Sequence, residues 1–226
     1  MLLDMISASD YGVGDRLPPE RVLVEQLGVS RTVVREALNL LETQGLIRVE
    51  HGRGAIVSAD SAHALHNNLV FLLRMQPSAM WELMEMRKAL EVEVAGLAAE
   101  RATPEDTATM RAVLDRMREN INAPEGYVDA DVEFHDLLAR SARNRVLLMM
   151  MEPIVDLLLA SRRVTGSNEA NAKRALQAHQ AILERVEAKD VEGARREMRK
   201  HMMTTERDIR ATIEDQDGVG KAPDTA

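Results

Sequence analysis

Asp131 and His135 stand one helical turn apart, so on a helix both side chains leave from the same side. Leu138 and Ala142 continue that side and turn it inward. His179 and His201 lie equidistant from Asp190, where the spacing predicts a reversal between two helices. In an antiparallel hairpin the two imidazoles then stand at one height. His179 shares a face with Leu176, Leu183 and Val186, and His201 with Ala194 and Met198, so both look into a bundle. A carboxylate and three imidazoles converging in a helical core suit a divalent transition metal such as zinc, nickel, manganese or iron. A single buried histidine is ordinarily a hydrogen-bonded core residue. Four ligand groups on three inward faces point instead to a common partner, because a polar group buried alone costs stability.

A second chemistry lies in Gly28–Leu41, GVSRTVVREALNLL. Placed on a helix from Arg31, residues Val33, Val34, Ala37, Leu38, Leu40 and Leu41 fall in one arc. Arg31, Thr32, Arg35, Glu36 and Asn39 fall in the other. Gly28 suits the left-handed turn that ends a preceding helix, and Ser30 suits the N-cap of the next. Arg31 sits in a first turn, where the helix dipole disfavours a cation. With Arg35 one turn on, this suggests a phosphate or base edge outside, against the plainer reading of a solvated face.

These groups need elements to hold them. Gly and Pro in YGVGDRLPPER mark a loop, followed by helices at about 19–27 and 30–44. LIRVE (46–50) and AIVSA (55–59) are two short strands around a glycine-rich tip. With a short first helix over residues 2–9, the order helix, helix, helix, hairpin is a winged helix-turn-helix. Residues 60–64 read as a linker. Helices follow at about 63–75, 79–101 (capped by Ser78), 103–121 (capped by Thr103), 126–142, 145–165 (kinked at Pro153), 169–188 and 190–212. The predicted fold is mainly α: a DNA-binding domain at 1–59, an all-α bundle at 65–213 and a disordered polar tail at 214–226.

Composition limits the function classes. The 226 residues include 14 Met but only 2% aromatics, which favours a helical core. Cysteine is absent, so there is no disulfide or thiolate metal site. No apolar run is long enough to span a membrane, and the first ten residues lack the pattern of a signal peptide. The net charge of −8 argues against a nucleic-acid binder. Residues 1–60 carry six Arg against nine acids, so a DNA surface there must come from clustering.

The run from Gly14 to Val57, with LPPER, GVSRTVVREAL and HGRGAIV, resembles the DNA-binding domain of the GntR family of bacterial transcription regulators. The resemblance implies a cytoplasmic homodimer on a palindromic double-stranded operator. It puts Arg21 near the DNA backbone, Arg31, Thr32 and Arg35 in the major groove, and His51 and Gly52 in the minor groove. Arg fits guanine O6 and N7 or a phosphate as a bidentate fork. Arg21 paired with Glu20 or Glu25, an idle His51, and Arg53 as the wing contact remain open alternatives.

Residues 65–213 resemble the all-helical (FCD) ligand-binding domain of the FadR-type branch, through DVEFH (131–135), AHQAIL (178–183) and ARREMRKHM (194–202). That resemblance implies metal ligation by Asp131, His135, His179 and His201. It also implies a small organic or sugar acid as effector, faced by Arg87. A salt bridge from Arg87 to Glu91 is the alternative. SARNR (141–145) lacks the glycine common before the asparagine, and His63 and His66 read as surface residues. A metal-dependent hydrolase is a competing reading, weakened by the lack of an HExxH or nucleophile motif. A regulator that senses the metal itself is another.

Overall fold

The computed structural model describes residues 2–6, 11–50, 52–58, 61–76, 78–154 and 168–219, with backbone alone for 61–64 and 213–219. The chain divides between Phe71 and Leu72 into two compact units.

The first unit holds α1 (Leu2–Met5), α2 (Glu20–Leu27), α3 (Arg31–Thr43), β1 (Ile47–Glu50) and β2 (Gly54–Val57). Gly28 ends α2 at φ 66°, donating its N–H to the Val24 carbonyl. Ser30 Oγ accepts from Val33 N and starts α3. Gly45, at φ 71°, turns the chain into β1. β1 and β2 pair antiparallel from Ile47↔Val57 to Glu50↔Gly54. The loop before α2 is tied to this wing by an isolated antiparallel bridge, Arg16 to Ile56. Leu17 N reaches Ala55 O at 2.8 Å, and Val57 N reaches Asp15 O at 2.8 Å. Leu17, Leu23, Val34, Leu38, Leu41, Ile47 and Val57 form the core.

The buried stripe of α3 is narrower than its apolar arc. Val33 and Leu40 are exposed, because only Val34, Leu38 and Leu41 meet the small core. Residues 61–64 of the stretch read as a linker are helical instead, since α4 runs Ser61–Met75; residue 60 lies outside the described residues.

In the second unit, α5 (Ala79–Arg101) packs chiefly on α9 (Val191–Val219), and α6 (Pro104–Glu119) on α7 (Pro124–Ser141). α8 (Glu169–Glu187) packs on α5, α6 and α9. Residues 145–154 are also helical; the rest of the helix expected to 165 lies outside the described residues. Thr103 forms a full capping box with Asp106. Ser78 does not cap α5: its backbone is already helical and its side chain makes no cap bond. Lys189, at φ 55°, makes the reversal between α8 and α9, and Asp190 Oδ1 accepts from Gly193 N at 2.8 Å. α9 passes the expected end at 212 and reaches Val219, so residues 214–219 are helix rather than coil. The remainder of the tail expected to be disordered, 220–226, lies outside the described residues. Gly96 of α5 leaves room for the Arg195 side chain of α9: a Cβ there would stand 2.6 Å from Arg195 Nε. Arg143, the residue before Asn144, has φ 50°, a conformation that glycine adopts without cost.

Candidate nucleic-acid interface and metal centre

In the first unit, α3 holds Arg31, Thr32 and Arg35 on its exposed side. Glu20, in the first turn of α2, faces both arginines. Arg35 Nε donates to Glu20 Oε1 at 3.2 Å, and Arg31 Nε lies 3.9 Å from Oε2. Arg21 pairs with Glu25 at 2.7 Å, one of the two partners weighed for it. On the wing, Arg48 and Arg53 both pair with Glu50 at 2.8 Å, so Arg53 is already engaged. Gly52 is described, with φ 77°; His51 lies outside the described residues. The arginines are therefore clustered, exposed and held by acids of their own domain. Such exposed pairs are worth about 0–1 kcal/mol, so exchanging a carboxylate for a phosphate costs little.

In the second unit, the geometry is the reverse. Asp131 and His135 on α7, His179 on α8 and His201 on α9 are all buried, from 0% exposed for His179 to 8% for Asp131. His179 Nε2 and His201 Nε2 stand 3.2 Å apart, at one height across the hairpin. One ring nitrogen each of His135, His179 and His201 fall within 4.8 Å of one another. Asp131 Oδ1 reaches this trio through His179 Nε2, at 3.6 Å. Phe134 stacks on His179, with ring centroids 4.6 Å apart, and fixes that ring's plane.

Burial, with His179 and His135 alongside, pushes the His201 imidazolium well below its ordinary pKa of 6.5. His201 is thus neutral at pH 7, as a metal ligand must be. Among the described residues, His135 Nε2 has no hydrogen-bond partner although the residue is 3% exposed. A divalent metal would satisfy that atom, and the imidazole-plus-carboxylate donor set fits one.

Arg87, on α5, is 1% exposed and pairs with the equally buried Glu91, the alternative weighed for it. The pair does not use the whole guanidinium. Nε serves Glu91 Oε1, while Nη1 is buried with no hydrogen-bond partner among the described residues. Glu91 Oε2 also stands 2.5 Å from His135 Nδ1. Glu91 therefore links the buried cation to a candidate ligand, a role the sequence did not reveal. Its signal was the four-residue spacing from Arg87, which gave the pair but not the imidazole beyond it. Arg87, Asp131, His135 and His201 line one cavity of about 50 Å³. His66 is half-buried rather than a surface residue; the side chain of His63 lies outside the described residues.

Comparison with known proteins agrees with both units. Residues 1–57 match the bacterial regulatory proteins, gntR family, and residues 82–204 match the FCD domain. The Uxu operon regulator of Haemophilus influenzae is 31% identical over 89% of this chain and 76% of its own length. The HTH-type transcriptional regulator LutR of Bacillus subtilis is 31% identical over 89% of this chain and 94% of its own. A solved GntR structure from Streptococcus agalactiae superimposes with a TM-score of 0.73 at 26% identity, covering 91% of this chain and 95% of the other. Among the described residues no helix is long and apolar enough to cross a membrane. An exposed arginine cluster on a winged helix, joined to a helical domain with a buried polar centre, is thus the build of a regulator rather than an enzyme, and the chain belongs to the gntR family of bacterial transcription regulators, in the branch that carries an FCD domain.

Proposed function

We propose that this regulator binds a palindromic operator as a homodimer, and that a small organic or sugar acid controls its binding from a divalent metal in the FCD domain. Asp131, His135, His179 and His201 hold the metal, which supplies open coordination positions for a carboxylate. Arg87 pairs the acid's charge through the part of its guanidinium that Glu91 leaves unused. In the first domain Arg31, Thr32 and Arg35 read base edges, Arg21 contacts the DNA backbone, and His51 and Gly52 serve as the minor-groove contacts.

The observation that carries this reading is His135 Nε2, buried and unsatisfied among the described residues beside two further buried imidazoles. The unused Nη1 of Arg87 in the same cavity favours an organic anion over the metal alone as signal. The cavity size supports coupling to DNA. About 50 Å³ holds one or two waters. Pockets for organic ligands run to about 300 Å³ or more, so enclosing an effector calls for a wider cavity than this packing provides. The packed and opened forms then differ in effector affinity, which is the requirement for control.

Calorimetry with a panel of short hydroxy acids and sugar acids, with and without chelator, tests this. Binding of at least one acid, lost on chelation and in the double variant His179→Ala/His201→Ala, is the expected result. Equal binding by that variant removes the metal from the mechanism.

A further inference from the structure

We infer that Arg16 is a further DNA-contacting residue, a phosphate contact on the wing. All six arginines of the reading head are exposed or near its surface, yet they differ in pairing. Arg21, Arg31, Arg35, Arg48 and Arg53 each stand within ion-pair reach of a carboxylate of the same domain. Among the described residues Arg16 alone has no such partner.

Its position is built rather than incidental. Arg16 forms an isolated antiparallel bridge with Ile56 of β2, flanked by the Asp15–Val57 and Leu17–Ala55 backbone bonds. Buried Leu17, only 2% exposed, anchors that segment in the core, so the backbone beneath the guanidinium is fixed. The guanidinium lies over Gly54, where a Cβ would stand 3.5 Å from Nε and Nη2. Gly54 has φ 83°, which disfavours other residues and keeps this surface flat. Arg16 also lines the same depression as Arg35, between α3 and the wing. The carboxylates of that depression are engaged elsewhere: Glu20 with Arg35, and Glu42 Oε1 with Val49 N at 3.0 Å.

The domain around Arg16 is acidic, so most of its cations approach DNA already neutralised. Arg16 brings a whole positive charge to the edge of the recognition helix. A phosphate accepts a bidentate fork from such a group and needs no ion pair to be broken first. The contact positions the wing and carries no base sequence.

The test uses the full-length protein and a mixed-sequence duplex of about 30 base pairs, since a phosphate contact acts on any sequence. Fluorescence anisotropy is read between about 50 and 200 mM salt for wild type, Arg16→Gln, Arg16→Lys and Arg21→Gln. Arg16→Gln is expected to flatten the slope of log K against log salt by about 0.9 per protomer. Arg16→Lys should keep the wild-type slope, and Arg21→Gln should change it by less than Arg16→Gln does. Far-UV circular dichroism and melting unchanged from wild type show that the fold survives. A wild-type slope for folded Arg16→Gln overturns the inference, as does an equal loss for Arg21→Gln. Failure of the wild type to bind any duplex instead overturns the DNA-contact assignments as a whole.

Discussion

The two units of this chain handle charge in opposite ways. The reading head leaves its arginines in solvent and holds five of the six with neighbouring acids, as in Arg21 and Glu25, whose side chains are 72% and 62% exposed. The helical domain buries Arg87, Glu91, Asp131 and three histidines to 8% exposure or less. An exposed pair costs little to break, so it can hand its arginine to DNA. A buried group cannot be left unpaired, so it commits the core to a particular set of partners. On the proposed function, output is placed where charge is exchangeable and the decision where it is not.

The sharpest break of this contrast is at the buried pair. Arg87→Met should destabilise the protein by about 3–5 kcal/mol, because Glu91 then keeps a buried charge. Adding Glu91→Leu should recover most of that loss. Arg21→Met, at the exposed pair, should stay within about 0.5 kcal/mol. Urea unfolding of the four proteins measures this, and equal losses at both pairs erase the contrast.

On the DNA side, Arg35→Ala should remove about 1–3 kcal/mol of discrimination between the operator and unrelated DNA, with the fold intact. Footprinting at moderate salt checks it. A mutant that still protects the same operator removes Arg35 from base reading.

The buried histidines also make a pH signature. Above about pH 6.5 His201 is neutral folded and unfolded. As pH falls below that value the unfolded chain takes up a proton that the folded core resists. Stability present above 6.5 is therefore lost on acidification, down to the folded-state pKa. The slope approaches about 1.4 kcal/mol per pH unit for this one group. Thermal melts of chelator-treated protein between pH 7.5 and 5.5 show it, and His201→Gln should flatten the dependence.

The smallest effect is at Glu20. Glu20→Gln releases Arg31 and Arg35, which should raise affinity for mixed-sequence DNA by a few-fold, about 1 kcal/mol or less. Unchanged affinity means that the pairing does not compete with DNA.

Much of this was legible in the sequence because it rests on local rules. Gly28, Ser30 and Thr103 act as the caps their residue types suggest, since capping depends on a few neighbouring atoms. The inward faces of His179 and His201 followed from helical period and a reversal at Lys189. Long-range packing was not legible. Val33 and Leu40 look like core by period but find no core to meet. Glu91 reads as half of a helix-surface pair, and only the packing of α5 against α7 brings it to His135. Glu20 sits outside the α3 sequence, so its hold on Arg31 and Arg35 appears only once α2 and α3 fold together. The helical run of α9 to Val219 has no apolar period to announce it.

The most direct measurement is anomalous diffraction from crystals of the protein purified without added metal or ligand. A single metal peak bonded by Asp131, His135, His179 and His201, with further density toward Arg87, is the expected result. A bundle centre with no metal peak, its imidazoles satisfied by water or by one another, would contradict the metal-borne effector site.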